Sequence, residues 1–273
     1  MFREIVENVK RTSPLIHNIT NYVTVNDCAN ILLACGGSAI MADDIDEVEE
    51  ITSICGGLNI NIGTLNQRTI AAMLAAGKRA NELSHPVVLD PVGAGASVLR
   101  TKTAMKLMEQ IKCTVIRGNA SEIKTLALGQ GTTRGVDADL SDSVTKDTLK
   151  QAVSFTKDFS RKTSSIIAIT GAIDLVAYNE KAYCIYNGHP MMSSITGTGC
   201  QLSALIAAYI TANPHNPFKA TVAAICAMGL CGEKAYKRLK DEDGNASYSN
   251  YIIDAMYNLD GDELEQGARY EIY

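Results

Sequence analysis

Thr196-Gly197-Thr198-Gly199-Cys200 runs straight into Gln201-Leu202-Ser203-Ala204-Leu205-Ile206-Ala207-Ala208-Tyr209. A glycine-rich turn thus feeds an apolar helix. Glycines let successive backbone N–H groups converge on one point. The helix start adds unpaired donors and the positive end of its dipole. The combination predicts an anion site, most naturally for phosphate. Cys200 places a thiol where that potential is strongest.

Upstream of this loop the chain alternates helix and strand. Asp174-Leu175-Val176-Ala177-Tyr178 and Ala182-Tyr183-Cys184-Ile185-Tyr186 flank Asn179-Glu180-Lys181, a hairpin signal. Before it, buried strands are expected at Pro86–Pro91, Cys113–Asn119 and Ser165–Gly171, and an alternating strand at Gly57–Gly63. Helical patterns cover residues 1–10, Thr24 to Cys35 (stopped by Gly36-Gly37), Ile45 to Ile54, Asn66 to Leu83 and Met105 to Ile111. Apolar strands separated by helices imply an α/β fold: a mostly parallel sheet, helices on both faces, and antiparallel strands near one edge. After Gln201 the pattern is mostly helical. The tail beyond Asp241 reads as acidic and polar, with mobility expected around Asp243-Gly244-Asn245. No repeat or linker divides the chain, so one domain over 1–273 is expected.

The three buried strands end in polar groups that a buried strand does not need. They deliver Asp90 before Pro91-Val92-Gly93-Ala94-Gly95, Arg117 and Glu122 within Arg117-Gly118-Asn119-Ala120-Ser121-Glu122, and Thr170 before Gly171. Ligands of open α/β sheets bind beyond the carboxyl ends of the strands. Carboxylates there can hold Mg²⁺ directly or through its waters, and a guanidinium can bridge phosphate oxygens. Singly, each has an ordinary reading: Asp90-Pro91 as a turn, Ser121-Glu122 as a helix start, Thr170-Gly171 as a turn. Their recurrence at strand ends, followed by the anion loop, favours a site.

Cys200 has three readings from spacing alone. As a nucleophile it wants a histidine, and His189 lies across the turn. As a general base it needs a lowered pKa, which a helix N-terminus can supply. As a structural thiol it merely packs.

Composition removes other classes. The net charge of −5 offers no basic face for nucleic acid. No apolar run reaches membrane-spanning length. The charged N-terminal segment lacks the apolar core of a signal peptide, so a cytoplasmic protein is expected. The eight cysteines form no Cys-x-x-Cys pair and sit mostly in apolar runs, as buried free thiols would. The four histidines have no zinc-ligand spacing to them. Gly77-Lys78 is followed by Arg79 and position 72 is Ala72, so there is no Walker A loop. Neither Gly93-Ala94-Gly95 nor Gly197-Thr198-Gly199 carries the third glycine of a dinucleotide fingerprint.

Ser13-Pro14-Leu15-Ile16-His17-Asn18-Ile19-Thr20-Asn21, Pro86 to Gly95, Arg117 to Glu122, Ile169-Thr170-Gly171 and Thr196 to Cys200 together resemble, in the same order and over nearly the whole chain, the hydroxyethylthiazole kinase family of the ribokinase-like fold. Thr-Gly-Thr-Gly-Cys is specific to that resemblance, because most ribokinase-like enzymes carry Asp at the position of Cys200. The resemblance implies phosphorylation of the hydroxyl of 4-methyl-5-(2-hydroxyethyl)thiazole by ATP with Mg²⁺, in thiamine salvage. It implies ATP contacts at Arg117 and Thr170, and thiazole contacts at Met41, Gly197 and the His17–Asn21 segment, Asn21 included. It further implies Mg²⁺ organised by Asp90 and Glu122, an anion hole at Gly197, Thr198, Gly199 and Cys200, and Cys200 as the base. A homotrimer with pockets at subunit boundaries is also implied.

Overall fold

Six parallel strands form the middle and one end of the sheet, and their apolar content explains why. The strands are β1 (Leu15–Ile19), β2 (Ser38–Met41), β3 (Gly57–Asn61), β4 (Val87–Asp90), β5 (Val115–Asn119) and β6 (Ile166–Thr170). Three antiparallel strands, β7 (Asp174–Tyr178), β8 (Lys181–Ile185) and β9 (Tyr270–Ile272), complete the order β2-β1-β3-β4-β5-β6-β7-β8-β9. This computed structural model describes residues 2–129, 144–145 and 147–273. Met1, included in the first expected helix, lies outside them.

Alternate residues of one strand enter two cores. Val88, Val115 and Ala168 pack under α1 (Phe2–Thr12), α2 (Val25–Cys35), α8 (Thr198–Ala212), α9 (Pro217–Arg238) and α10 (Asn245–Asn258). Leu89, Ile116 and Ile167 pack under α3 (Val48–Ile54), α4 (Gln67–Glu82), α5 (Val98–Gln110), α6 (Ala120–Gly129) and α7 (Leu149–Thr163). Both faces are covered, so the strands read as continuous apolar runs rather than as alternation. Each fully buried Ile or Leu contributes about 1.5–3 kcal/mol.

The structure departs from the sequence reading in several places. The expected helix from Ile45 begins only at Val48, because the amides of Glu47 and Val48 both turn back onto the Asp44 carbonyl. The helix expected at Met105 begins at Val98 instead, where Ser97 caps it by accepting the Arg100 amide. The tail is largely built in: Asp243-Gly244 turns into α10, whose Tyr248 and Ile252 are buried. A short helix α11 (Gly261–Gly267) and β9 follow it. No helix of the described residues is long and apolar enough to cross a membrane. All eight cysteines are free, and seven of them are buried.

Candidate active site

Parallel register brings the carboxyl ends of the strands to one edge. Asn61 of β3 stands opposite Asp90 of β4, and Asn119 of β5 opposite Thr170 of β6. Helix α8 crosses beneath β1, β3 and β4 and presents its first turn to this edge. Gly197 precedes that turn with φ +88°, and a Cβ there would lie 2.6 Å from Thr24 Cγ2. No side chain caps the helix; its first backbone bond runs from the Gln201 amide to the Gly197 carbonyl. The amides of Thr198, Gly199 and Cys200 therefore have no intrahelical acceptor.

Arg117 reaches over this turn. A Cβ on Gly199 would lie 2.5 Å from Arg117 Nη1 and 2.7 Å from Nη2, so glycine leaves the guanidinium its seat. Arg117 Nη2 donates to Thr170 Oγ1 at 2.6 Å, and Nη1 lies 3.5 Å from Asp90 Oδ2. The Arg117 Nε is buried without a partner.

Asp90 is fully buried. Its Oδ2 accepts from Asn61 Nδ2 and from Ser203 Oγ, each at 2.8 Å, while Oδ1 has no partner. Burial pushes its carboxyl up to about 6, against the pull of Arg117 and with a further push from Glu122. Glu122 closes a capping box with Asn119: each side chain takes the other's backbone amide at 2.8 Å. Its second oxygen accepts the Gly93 amide at 2.8 Å and so ties the Asp90-Pro91 loop to α6.

A second set of contacts leads to the thiol. Asn21 Oδ1 accepts from both the amide and the hydroxyl of Thr24, which forces Nδ2 the other way. Nδ2 donates to Asn61 Oδ1 at 3.0 Å and to Cys200 Sγ at 3.2 Å. Asn61 Oδ1 also accepts the Gly63 amide at 2.9 Å, which leaves the Asn61 Nδ2 to face Asp90. Cys200 is half-buried. Burial pushes its thiol up, the Asp90 charge adds to that, and contacts from Thr24, Asn21 and Asn61 pull it down. The net direction is upward, opposite to what a helix start alone would give. His189 is no partner for it: the ring stacks on Tyr236 at 3.5 Å and Nδ1 accepts the Met191 amide.

Two hollows flank this centre. One, of about 570 Å³, is lined by Arg117, Thr170, Asp174, Gly188, Thr198 and Gly199, with Met228 among its apolar walls. The other, of about 250 Å³, is lined by Met41, Asn18, Thr20, Tyr22 and Met73. Met41 and Arg117 thus lie in different hollows. Asn21 and Cys200 join the centre directly, and Gly197 sits against Thr24 rather than on either lining. Within His17–Asn21, His17 is buried beneath the site, its ring nitrogens 2.9 Å from Thr52 Oγ1 and the Ala42 carbonyl.

Sequence reasoning missed Asn61, Ser203 and Asp174. Asn59 and Asn61 alternate with apolar residues and read as the solvent side of a strand, yet all of β3 is buried. An alternating strand between two apolar runs was the available signal. Asp174 opens β7 and accepts the Gly171 amide at 2.9 Å, the bond that closes the turn beside Thr170.

The model of the Hydroxyethylthiazole kinase family matches residues 6–262. A hydroxyethylthiazole kinase of Clostridium acetobutylicum is 68% identical over 273 residues, all of both chains. The solved structure of a hydroxyethylthiazole kinase protein from Pyrococcus horikoshii OT3 superposes with a TM-score of 0.88 at 33% identity, covering 100% of this chain and 98% of the other. The pyridoxal kinase of Staphylococcus aureus, solved with ADP, shares the fold alone: TM-score 0.59 at 16% identity, over 95% and 97% of the two chains. The expected ribokinase-like α/β architecture is therefore present. The chain belongs to the hydroxyethylthiazole kinase family.

Proposed function

We propose that this kinase transfers the γ-phosphoryl group of ATP to the hydroxyl of 4-methyl-5-(2-hydroxyethyl)thiazole, a step of thiamine salvage. The observation that carries the reading is the uncapped start of α8 between two hollows, with Arg117 on one side and Cys200 on the other. The larger hollow takes ATP, with Arg117 and Thr170 against its phosphates. The smaller takes the thiazole against Met41; Asn21 and Gly197, which line neither hollow, are further thiazole contacts in this reading.

Phosphoryl transfer depends mainly on positioning and charge stabilisation. The amides at Gly197–Cys200 hold charge that develops on the moving group. Arg117 neutralises the polyphosphate, and Asp90 and Asn61 hold it in register. The alcohol oxygen attacks phosphorus, the bond to the ADP oxygen breaks, and the alcohol proton passes to Cys200 Sγ. Asn21 donates to that sulfur and so favours its thiolate. Burial and the Asp90 charge oppose this and push the thiol up overall, so it is the thiolate form that takes the proton. A loose transition state asks little of a base.

Among the described residues no group of three or more His, Cys, Asp or Glu side chains forms a metal cage. The unpartnered Asp90 Oδ1 and the remaining lone pairs of Glu122 are oxygen donors that fit Mg²⁺, which keeps waters and takes phosphate oxygens. Asp90 and Glu122 are the residues that would hold it; bound there, Mg²⁺ supplies charge neutralisation to the phosphates. A homotrimer with the thiazole pocket at subunit boundaries fits Tyr22, 78% exposed on the rim of the smaller hollow beside Val23. Residues 1–273 act as one kinase domain in this reading. Free cysteines fit a reducing cytoplasm.

A panel of alcohols with radiolabelled ATP tests the acceptor. Transfer to the thiazole alcohol above hydroxymethylpyrimidine and pyridoxal is expected; preference for either of those reassigns the smaller hollow.

A further inference from the structure

The C-terminal residues after 262 lie beyond the part of the chain that the family model matches, yet they reach the wall of the larger hollow. Strand β9 pairs with β8 in antiparallel register, Ile185 opposite Tyr270. This brings Arg269 beside the segment Tyr186-Asn187-Gly188, all three of which line that hollow.

The contacts at this point form a closed set. Arg269 Nη1 and Nη2 pair with the two oxygens of Glu233, on α9, at 2.9 and 2.8 Å. Nη2 also donates to the Tyr186 carbonyl at 2.8 Å. Glu233 Oε1 accepts the Gly188 amide at 2.8 Å and Asn187 Nδ2 at 3.2 Å. Asn187 Nδ2 donates to the Gly267 carbonyl at 3.0 Å, and Asn187 Oδ1 accepts the Arg269 amide at 2.7 Å. Burial works to raise the Glu233 carboxyl, and the bonds from Arg269, Gly188 and Asn187 outweigh it, so the carboxylate is favoured.

The fork geometry matters. A bidentate guanidinium fixes both carboxylate oxygens in one plane. One of those oxygens is the acceptor for Gly188, so the plane of Glu233 sets where the Gly188 backbone lies. An isolated surface pair would count for little. Here Glu233 is only 14% exposed in its side chain and ties two other segments, Asn187-Gly188 and Arg269, to α9.

We propose that Arg269 and Glu233 are positioning residues for the nucleotide: the C-terminal segment clamps Asn187-Gly188 and thereby sets the width of the ATP hollow. The inference rests on the assignment of that hollow to ATP. Neither residue touches the reacting atoms, so their effect falls on ATP and not on the thiazole alcohol.

The test compares Arg269→Ala, Arg269→Lys, Glu233→Gln and, as the marker of the hollow itself, Arg117→Ala. Each full-length variant is assayed for the KM of ATP, the KM of the thiazole alcohol, kcat and thermal midpoint. Arg269→Ala should raise the KM for ATP by roughly 3- to 30-fold, with little change for the alcohol. Arg269→Lys keeps the charge but loses the fork, and should fall between. If Arg269→Ala does not fold, Glu233→Gln carries the same expectation, because it loses the ion pair while keeping an acceptor for Gly188. An unchanged KM for ATP in a variant, while Arg117→Ala raises it, overturns the clamp and leaves the nucleotide assignment standing. Parallel rises in both KM values with a lowered midpoint also overturn it, as a purely structural role. No effect of Arg117→Ala on ATP removes the nucleotide assignment, and the clamp proposal with it.

Discussion

Replacing Gly199 by alanine tests whether the first turn of α8 seats Arg117. Gly199 sits in the first turn of α8 with an ordinary helical backbone, so alanine suits the helix and adds at most about 1 kcal/mol of stability. The new Cβ, however, would lie 2.5 Å from Arg117 Nη1 and 3.0 Å from Cζ. The guanidinium is the far end of a flexible side chain, so it moves and the backbone stays. Moving it breaks the 2.6 Å bond to Thr170 and widens the 3.5 Å approach to Asp90. A hydrogen bond to a charged group is worth about 1.5–3 kcal/mol, which is about ten- to a hundredfold in kcat/KM for ATP. Steady-state assays with ATP varied, alongside thermal unfolding, give both numbers. Gly199→Ala should lose this activity and melt somewhat lower than the parent, because the lost bond outweighs the helix gain. Combining it with Arg117→Ala should cost little beyond Arg117→Ala alone, because both act on one group. Full activity in Gly199→Ala, or losses that add in the double variant, would refute the seating of Arg117 on Gly199.

The remaining expectations concern the buried polar centre. Cys200→Asp should keep substantial activity, because a carboxylate replaces the thiol as proton acceptor. The rise of kcat with pH expected from a thiol held above its ordinary range should flatten in that variant, as pH–rate profiles of the two proteins will show. Asp90, raised to about 6 in the folded chain, binds a proton that the unfolded chain has already lost. Its contribution to stability is therefore full below about pH 4 and is lost as pH rises through about 6, a swing of up to about 3 kcal/mol. The melting temperature of Asp90→Asn relative to the parent should accordingly climb between about pH 4 and pH 7; a flat difference would contradict the raised carboxyl. Asn61→Leu leaves Asn21 and Asp90 each short of a partner and should cost about 1–3 kcal/mol in denaturant unfolding. It should lower kcat more than it changes the KM for ATP.

The central strands were legible because burial on both faces leaves Val87-Val88-Leu89 and Ile166-Ile167-Ala168-Ile169 no room for polar residues. Strand β1 escaped because His17 and Asn18 interrupt its apolar run, and both are buried in hydrogen bonds rather than solvated. Strand β2 is a short half-buried edge, and β9 has only three residues. At the site, the glycine turn announced itself through backbone chemistry, and Asp90 through a carboxylate ending an apolar run. Asn21 entered only through family resemblance, and Asn61 was disguised as a solvent-facing residue. The Arg269–Glu233 pair joins α9 to a residue 36 positions further on, within what composition marks as ordinary polar tail. Such pairings are set by tertiary register and leave no local pattern.

The most direct test of the phosphoryl-transfer centre is a crystal structure with a non-hydrolysable ATP analogue and the thiazole alcohol bound together. The account predicts the terminal phosphate within hydrogen-bonding distance of the amides at the start of α8, Arg117 against the triphosphate, and the alcohol oxygen between that phosphate and Cys200 Sγ. A triphosphate bound away from the α8 turn, or an alcohol pointing away from Cys200, would contradict it.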